Sequence, residues 1–155
     1  MSSPTEVVPF EDWHVAALFR DLRPADDMEL RAFSGPDYEG PVVRGVMASP
    51  LKWTMLVGGE LTAILGANAV PDYPGVGMPW CIGTTLLDRY GGRLVRIGPT
   101  YIREMLGKFD LLVNFVDVRS LRSVRWLRSL GFTLDPPQQV GEYGAVAHRF
   151  WMEAR

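Results

Sequence analysis

The segment LLVNFVDVRSLRSVRWLRSLGF, residues 111–132, constrains the fold most strongly, because a buried strand runs directly into an amphipathic helix. Leu111–Val118 is rich in branched and aromatic residues and contains neither Gly nor Pro, which predicts a strand. The pattern changes at Arg119. Ser120 is a candidate N-cap, since its hydroxyl can accept a hydrogen bond from a free backbone N–H two or three residues on.

The helical part of this segment has two distinct faces. Three arginines fall on one side, and the apolar side chains lie on the other at helical spacing: Val124, Trp126, Leu127 and Leu130. Gly131 suits the left-handed residue that closes a helix, and Phe132 is expected to pack back against the last turn.

The remaining elements follow from the same periodicities. Helices are predicted over 11–22, 24–33 and 93–109, with 39–49 ambiguous and Gly98-Pro99 either kinking the fourth helix or marking where its regular part begins. Strands are predicted over 5–10, 52–57, 61–69, 80–87 and 145–152. Gly58-Gly59 predicts a tight hairpin, 71–79 a Gly/Pro loop and 88–92 a turn. Pro9 places the first strand at a sheet edge.

Composition and length limit the class of protein. The 155 residues suit one domain over 1–155, and 47% hydrophobic with 22% charged residues is ordinary for a folded soluble chain. The single cysteine, Cys81, excludes an internal disulfide and fits a reducing compartment. The sequence begins without the pattern of a signal peptide and has no apolar run of membrane-spanning length, so we expect a cytoplasmic, soluble protein.

The net charge of −2 conceals an uneven distribution. Acids dominate residues 1–60, and bases dominate 89–128. Such a basic region is either a solvated helix face or a surface for a phosphorylated ligand, an acidic partner or nucleic acid. The overall acidic balance and the lack of a basic tail disfavour nucleic acid.

The order of elements is a strand, two or three helices, three strands, and then helix, strand, helix and strand. This order predicts an α+β fold, a mixed and mostly antiparallel twisted sheet with helices on both faces. A strand and helix ending in Gly-Phe resemble the second half of the acetyltransferase fold called GNAT. The family's last helix often reads Asn-x-x-Ala, a Tyr and then Gly-Phe, and the matching positions here are Ser120, Ser123, Leu127 and Gly131-Phe132.

Three stretches narrow the resemblance to one subgroup: PWCIGTTLL, TYIREMLGKFDLLVNFVDVRSLRSVRWLRSLGF and HRFWM. Together they resemble the small GNAT-like proteins of tailed bacteriophages related to the T7-type internal virion protein A, over roughly residues 50–152, with LRPADDMEL as added support. The resemblance implies other phage structural proteins or a second copy as partners, and the host cytoplasm or the virion as location.

A GNAT enzyme holds the acetyl-CoA pyrophosphate on backbone N–H groups that open a helix. The resemblance places this loop at 89–94 and implies cofactor contacts from Arg89, Gly91, Gly92 and Arg93. Asn114, a polar residue of the predicted strand, could bond the pantetheine arm or satisfy a neighbouring backbone group. The alternative for the loop is a strand-to-helix turn that needs glycine. Leu94 stands where the family has a small residue.

The proton chemistry has no assigned residue. Leu127 replaces the phenol that commonly protonates the CoA thiolate, and the other tyrosines considered are Tyr90, Tyr101 and Tyr143. Loop acids are the candidate bases, each of which could equally be a solvated surface acid: Glu60, Asp72 and Glu142. His14 and His148 are expected to be packing or surface residues, Cys81 a small buried apolar residue, and no metal-ligand spacing is present.

Two functions therefore remain open. The first is a phage virion or assembly protein with a degenerate GNAT fold, acting through protein contacts of the arginine face and of apolar residues: Tyr73, Val76, Met78 and Trp80. The second is an active acetyl-CoA-dependent N-acetyltransferase. No membrane partner is expected.

Overall fold

The computed structural model describes residues 3–155. These described residues form five helices and eight strands in this order: β1 Thr5–Pro9, α1 Trp13–Arg20, α2 Pro24–Ser34, α3 Glu39–Ala48, β2 Leu51–Val57, β3 Glu60–Ala69, β4 Val76–Gly83, α4 Leu86–Lys108, β5 Leu111–Asp117, α5 Leu121–Leu130, β6 Thr133–Leu134, β7 Gln138–Val140 and β8 Ala145–Glu153. The ambiguous segment 39–49 is thus a helix.

All eight strands belong to one sheet in the order β1-β2-β3-β4-β5-β8-β6, and β7 also pairs with β8. Every pairing is antiparallel except that between β4 and β5. Strand β1 lies at the edge, as Pro9 predicts. The predicted hairpin between β2 and β3 is confirmed, and Gly58 and Gly59 turn it at φ values of 60° and 78° that an L side chain rarely adopts.

Helices cover both faces of the sheet, which confirms the predicted fold class. Neighbouring residues of β3 point to opposite faces, so Ile64 packs with Leu18 of α1 and Val46 of α3, whereas Ala63 packs with Leu94 of α4. Helix α5 joins α4 on the second face. The core there includes buried residues from α4, α5, β5 and β8: Met105, Leu112, Val116, Val124, Leu127 and Phe150.

The boundary between β4 and α4 corrects the sequence prediction. The strand predicted over 80–87 ends at Gly83. The turn predicted over 88–92 falls within the range of α4, where a kink at Tyr90 separates two helical stretches. The Thr84 hydroxyl donates to the Leu61 carbonyl and accepts from the Leu86 N–H, at 2.9 and 3.3 Å, so it ends the strand and starts the helix. A Cβ at Gly83 would overlap Leu87, which packs back onto the strand end.

Strand β4 also begins earlier than predicted, because Val76–Pro79 is strand and not loop. Proline is tolerated at position 79 because the backbone of this residue faces β5 and not β3. The missing N–H of Pro79 therefore removes no hydrogen bond from the β3–β4 ladder. In α4 the residue with non-helical dihedrals is Tyr90, not Gly98 or Pro99.

Candidate active site

Strands β4 and β5 separate after a short parallel pairing. They pair at Val76–Leu111 and Gly77–Leu112 and then diverge. A cavity of about 670 Å³ occupies the gap, lined by the two strands and by α2, α3, α4 and α5. It therefore connects the two faces of the sheet, which makes the gap the candidate active site.

One side chain of β5 bridges the gap. The amide nitrogen of Asn114 donates to the Pro79 carbonyl of β4 at 2.7 Å, and its amide oxygen accepts from the Phe115 N–H at 2.8 Å. Asn114 lines the cavity and takes the backbone-satisfying role that was one of its two predicted alternatives. Its contact with a pantetheine arm stays a prediction.

The wide end of the gap is capped from α2. The Gly83 N–H donates to the Asp26 carboxylate at 2.8 Å, and the Gly83 carbonyl accepts from the Arg23 N–H at 3.0 Å. Asp26 is 8% exposed and forms an ion pair with Arg23 at 3.2 Å. Burial raises the pKa of Asp26, and the arginine beside it opposes that rise. The end of β4 is thus held by the first turn of α2.

Glu29 caps the end of β5 in the same way. One carboxylate oxygen accepts from the Asp117 N–H at 3.3 Å and the other from the Ser120 hydroxyl at 3.1 Å. The Ser120 side chain therefore bonds Glu29 and does not cap α5, which corrects that prediction. Burial raises the pKa of Glu29 to about 7, and the two hydrogen bonds oppose the rise. Glu29 lines the cavity, so a carboxyl group that titrates near neutrality faces the gap.

Cys81 contributes its backbone to the gap. The Pro79 carbonyl and the Gly83 N–H both point into it, and strand alternation places the N–H and carbonyl of Cys81 on the same side. Burial raises the pKa of the Cys81 thiol to about 12, so the thiol is neutral near pH 7. The residue offers a backbone donor and acceptor and not a nucleophile, in agreement with the prediction that its thiol is inert.

The four residues of the predicted phosphate loop do not all face the cavity. Gly91 and Gly92 line the cavity, and nothing lies within 4 Å of a Cβ placed at Gly92. Arg93 instead bonds the Ser3 carbonyl and the Thr5 hydroxyl, both at 2.6 Å. Arg89 stacks on the Tyr90 ring and does not line the cavity. The structure brings together the two glycines and Asn114, but neither arginine.

Arg122 of α5 is an arginine that does reach the cavity. Its guanidinium would lie 3.8 Å from a Cβ at Gly91. Leu94, which stands where the family has a small residue, is buried in the core with Met55 and Leu87, although it also forms part of the cavity wall.

The other candidate residues are placed as follows. Tyr101 lines the cavity, whereas Tyr90 and Tyr143 do not. The three loop acids are exposed outside it: Glu60, Asp72 and Glu142. His14 is buried and bonds the Thr54 hydroxyl at 2.8 Å, and His148 bonds the Asp135 carbonyl. Within residues 3–155 no group of three or more His, Cys, Asp or Glu side chains could hold a metal ion.

Sequence reasoning missed three residues of the site, namely Asp26, Glu29 and Trp126. The i, i+3 spacing of Asp26 and Glu29 was the available signal, since it puts both carboxylates on one face of α2. The sequence places Trp126 on the apolar face of the predicted helix. It lines the cavity, and its indole N–H is buried without a hydrogen-bond partner among the described residues.

Comparison with solved structures identifies the fold. The ribosomal-protein-S18-alanine N-acetyltransferase from Escherichia coli aligns with a TM-score of 0.70 and 15% identity, over 97% of this chain and 94% of that one. An aminoglycoside acetyltransferase in complex with coenzyme A aligns with a TM-score of 0.70 and 13% identity, over 97% and 95%. A GNAT acetyltransferase from Streptococcus pneumoniae aligns at 0.67 and 13% identity, over 98% and 100%.

The chain has the GNAT fold. The predicted resemblance to that fold is thereby confirmed. No protein-family model and no curated protein sequence matches the chain. The identities to the solved structures are low, so the likeness establishes the fold alone. In residues 3–155 no helix is both long and apolar enough to cross a membrane.

Proposed function

We propose that this protein binds a CoA thioester between β4 and β5 and transfers its acyl group to an amine. The observation that carries the proposal is the cavity of about 670 Å³ in the gap, which lies in the size range of small-molecule sites. A space of this size between two strands of one sheet is large enough to hold a small-molecule ligand. Two of the aligned acetyltransferases, the aminoglycoside enzyme and a ribosomal L7/L12 enzyme, are described as complexes with coenzyme A.

The residues of the gap fit such a ligand on the face of α4 and α5. Gly91 and Gly92 follow the kink at Tyr90 and present no side chain to the cavity, and Arg122 supplies a positive charge beside them. The Cys81 backbone offers a donor and an acceptor on the side of β4 that faces the gap. When bound, a CoA thioester supplies an acyl carbonyl that an amine can attack.

Glu29 is the residue we assign as general base. An amine nucleophile must lose a proton, and a base is most effective when its pKa lies near the working pH. The pKa of Glu29, about 7, meets this condition, and the carboxylate faces the cavity from α2. Its bonds to Asp117 and Ser120 hold it in place. The amine is therefore expected to enter from the side of α2 and α3.

Calorimetric titration of acetyl-CoA, together with melting curves, tests this proposal. A ligand that binds only the native state raises the melting temperature at concentrations well above its dissociation constant. We expect heat of binding and a higher melting temperature, and then release of free CoA thiol when an amine acceptor is added. No heat and no melting shift at millimolar acetyl-CoA would contradict the proposal.

We propose as a second candidate a protein that acts in phage assembly and no longer binds cofactor, and the capping of the gap supports only the loss of cofactor binding. Five gap-facing backbone groups are already bonded within the protein: the carbonyls of Pro79 and Gly83 and the N–H groups of Gly83, Phe115 and Asp117. A chain that no longer binds cofactor would gain from such capping, and Leu127 cannot act as an acid. We propose that in this case the protein acts through contacts with other phage structural proteins or a second copy.

Two exposed apolar residues are available for those contacts. Tyr73 is 66% exposed and Met78 38% exposed, although Met78 also lines the cavity. Trp80 lines the cavity too, and its indole N–H donates to the Ser49 hydroxyl at 2.9 Å. Mass spectrometry of purified phage particles tests the virion form of this proposal, with the polypeptide expected among the particle proteins. Its absence would contradict a place in the mature particle and leave only a role during assembly.

A further inference from the structure

The inner face of α2 changes from polar to apolar within one turn. Asp26, Glu29, Leu30 and Phe33 follow one another at helical spacing and all line the cavity, so they form a single stripe along it. The two carboxyl groups come first along this α2 stripe, and Leu30 and Phe33 follow them. A molecule that meets Glu29 and extends along α2 therefore meets carbon next.

Neighbouring elements extend this apolar surface. Val42 and Val46 of α3 and Val140 of β7 also line the cavity. Phe115 of β5 alternates with Val116, whose side chain lies in the core formed with α4 and α5, so the Phe115 ring points to the side of α2 and α3. The side of the cavity next to Glu29 is thus walled by aliphatic and aromatic groups.

Two polar side chains on the same side already use their donors within the protein. The Trp80 indole N–H donates to the Ser49 hydroxyl at 2.9 Å, and the Asn68 amide nitrogen donates to the Gly45 carbonyl at 3.0 Å. These two groups hold α3 against the sheet. They are therefore not free to donate to a polar substituent of a ligand.

The charges around the cavity limit the charge of an acceptor. Among the described residues that line it, the carboxyl groups are those of Asp26 and Glu29. Asp26 forms an ion pair with Arg23 at 3.2 Å, which leaves Glu29 to receive a positively charged group. A second positive charge on the same molecule would be transferred from water to an apolar wall without a partner, which is costly.

The β7–β8 hairpin limits the length of an acceptor. A Cβ at Gly141 would lie 3.6 Å from the Phe33 carbonyl oxygen, and a Cβ at Gly35 would lie 2.5 Å from Cζ of Tyr143, so the hairpin packs onto the C-terminal end of α2. Glu29 and Phe33 are separated by about 6 Å along the helix axis. This distance suits a small molecule that carries its apolar group close to its nitrogen.

We propose that the acceptor is a small primary amine with one positive charge and an apolar substituent, either an alkylamine or an arylalkylamine. The inference rests on the proposed acyl transfer and names the substrate class for that site. The nitrogen lies at Glu29, and the substituent lies against Leu30, Phe33 and Phe115. The nitrogen forms a bond to the acyl carbon while the carbon–sulfur bond of the thioester breaks. Glu29 accepts a proton from the nitrogen, and the CoA thiolate leaves and takes a proton from water.

The test measures CoA thiol release from acetyl-CoA with n-hexylamine, hexane-1,6-diamine and ethylamine as acceptors. The diamine adds a second ammonium to the same chain, and ethylamine shortens the chain. We expect kcat/KM for n-hexylamine to exceed that for ethylamine by about a hundredfold, because each fully buried methylene contributes about fourfold. It should exceed that for the diamine by about tenfold or more, because the second ammonium meets carbon.

Phe33→Glu should change this preference. The substitution places a carboxylate at the far end of the α2 stripe, so the ratio of kcat/KM values should shift toward the diamine by about tenfold or more. Trp13→Glu is the matched control, because Trp13 is 60% exposed and does not line the cavity, and its ratio should stay that of the wild type. Melting curves establish that the variants are folded, and the wild-type series gives an answer that needs no variant.

The outcomes separate this inference from the proposed function. If CoA is released but the diamine or ethylamine is used as well as n-hexylamine, the inference is overturned and the proposed function stands. Faster transfer from hexanoyl-CoA to ethylamine than from acetyl-CoA to n-hexylamine would assign the apolar wall to the acyl chain and would also overturn the inference alone. If acetyl-CoA does not bind, or binds without transfer to any of these amines, both are overturned.

Discussion

The two sides of β5 are built differently. Toward β8 the strand keeps a continuous antiparallel register, from Leu111 opposite Glu153 to Asp117 opposite Ala147. Toward β4 it pairs at Leu111 and Leu112 and then separates. On the β8 side the hydrogen bonds join the backbones of the two strands. On the β4 side, backbone groups of β4 and β5 are instead hydrogen-bonded by three polar side chains: Asp26, Glu29 and Asn114.

The two edges of β5 therefore have different roles, one in stability and one in ligand binding. A ladder between two backbones leaves no space for a ligand. A gap closed by side chains can exchange those bonds for bonds to a ligand. The β8 side therefore secures the fold, and the β4 side is where a ligand and an acceptor can meet.

The largest expected effect is on the side that secures the fold. Leu112 is fully buried in the core and does not line the cavity between β4 and β5, so Leu112→Ala should lower the free energy of unfolding by about 3 to 5 kcal/mol. Urea denaturation measures this loss. Val146→Ala on β8 is the control, because Val146 is 44% exposed and its truncation should change stability by about 0.5 kcal/mol or less. Equal effects of the two substitutions would contradict the assignment of the core.

Glu29→Gln should have the next largest effect, on the rate of acyl transfer. The substitution keeps the shape of the side chain but removes the base, so turnover should fall by about a hundredfold. Wild-type turnover should rise with pH and level off above about 7, where Glu29 is ionised. The variant should lose that rise. Glu6→Gln, at an exposed position of β1, is the control and should keep the wild-type profile. A variant that retained full activity would exclude Glu29 as the base.

The same substitution should change stability in a pH-dependent way. The pKa of Glu29 is raised in the folded state, so its protonated form contributes stability that is complete below pH 4.5 and lost as pH rises through about 7. The difference in free energy of unfolding between Glu29→Gln and the wild type should therefore shift by about 1 to 3 kcal/mol in favour of the variant when the pH is raised from 5 to 8. Melting curves of both proteins at the two pH values measure this gain. If the melting temperatures of the two proteins differ by the same amount at pH 5 and at pH 8, the pKa of Glu29 is not raised by folding and the prediction is wrong.

Asn114→Ala should have the smallest effect of these substitutions. It leaves the Pro79 carbonyl and the Phe115 N–H without their partner, at a cost of about 1 to 2 kcal/mol. Asn68→Ala is a matched control, because Asn68 donates to the Gly45 carbonyl at 3.0 Å between β3 and α3. Hydrogen exchange should quicken at Phe115 in the first variant but not in the second. The same pattern in both would contradict a local role for Asn114.

The sequence predicted the β8 side better than the β4 side, for a physical reason. Strand periodicity and the Gly131 helix end are local signals, and Gly131 indeed has a φ of 101°. The capping of the gap joins residues far apart in the chain, such as Glu29 with Asp117. Local patterns cannot show such pairs. Ser120 illustrates the limit, since it has the residue type of an N-cap and yet bonds Glu29.

The phosphate loop shows the same limit in another form. The sequence places Arg89 and Arg93 beside Gly91 and Gly92, but a helix sends neighbouring side chains in different directions. Arg93 consequently bonds β1, while Arg122 reaches Gly91 from another helix.

The amide hydrogen exchange of Cys81 tests the central claim most directly. This N–H faces the gap, so without ligand it should exchange faster than the amides of the β5–β8 ladder. CoA at a hundred times its dissociation constant should slow the exchange of the Cys81 amide by about a hundredfold. Unchanged exchange at Cys81 with saturating CoA would contradict a ligand site between β4 and β5.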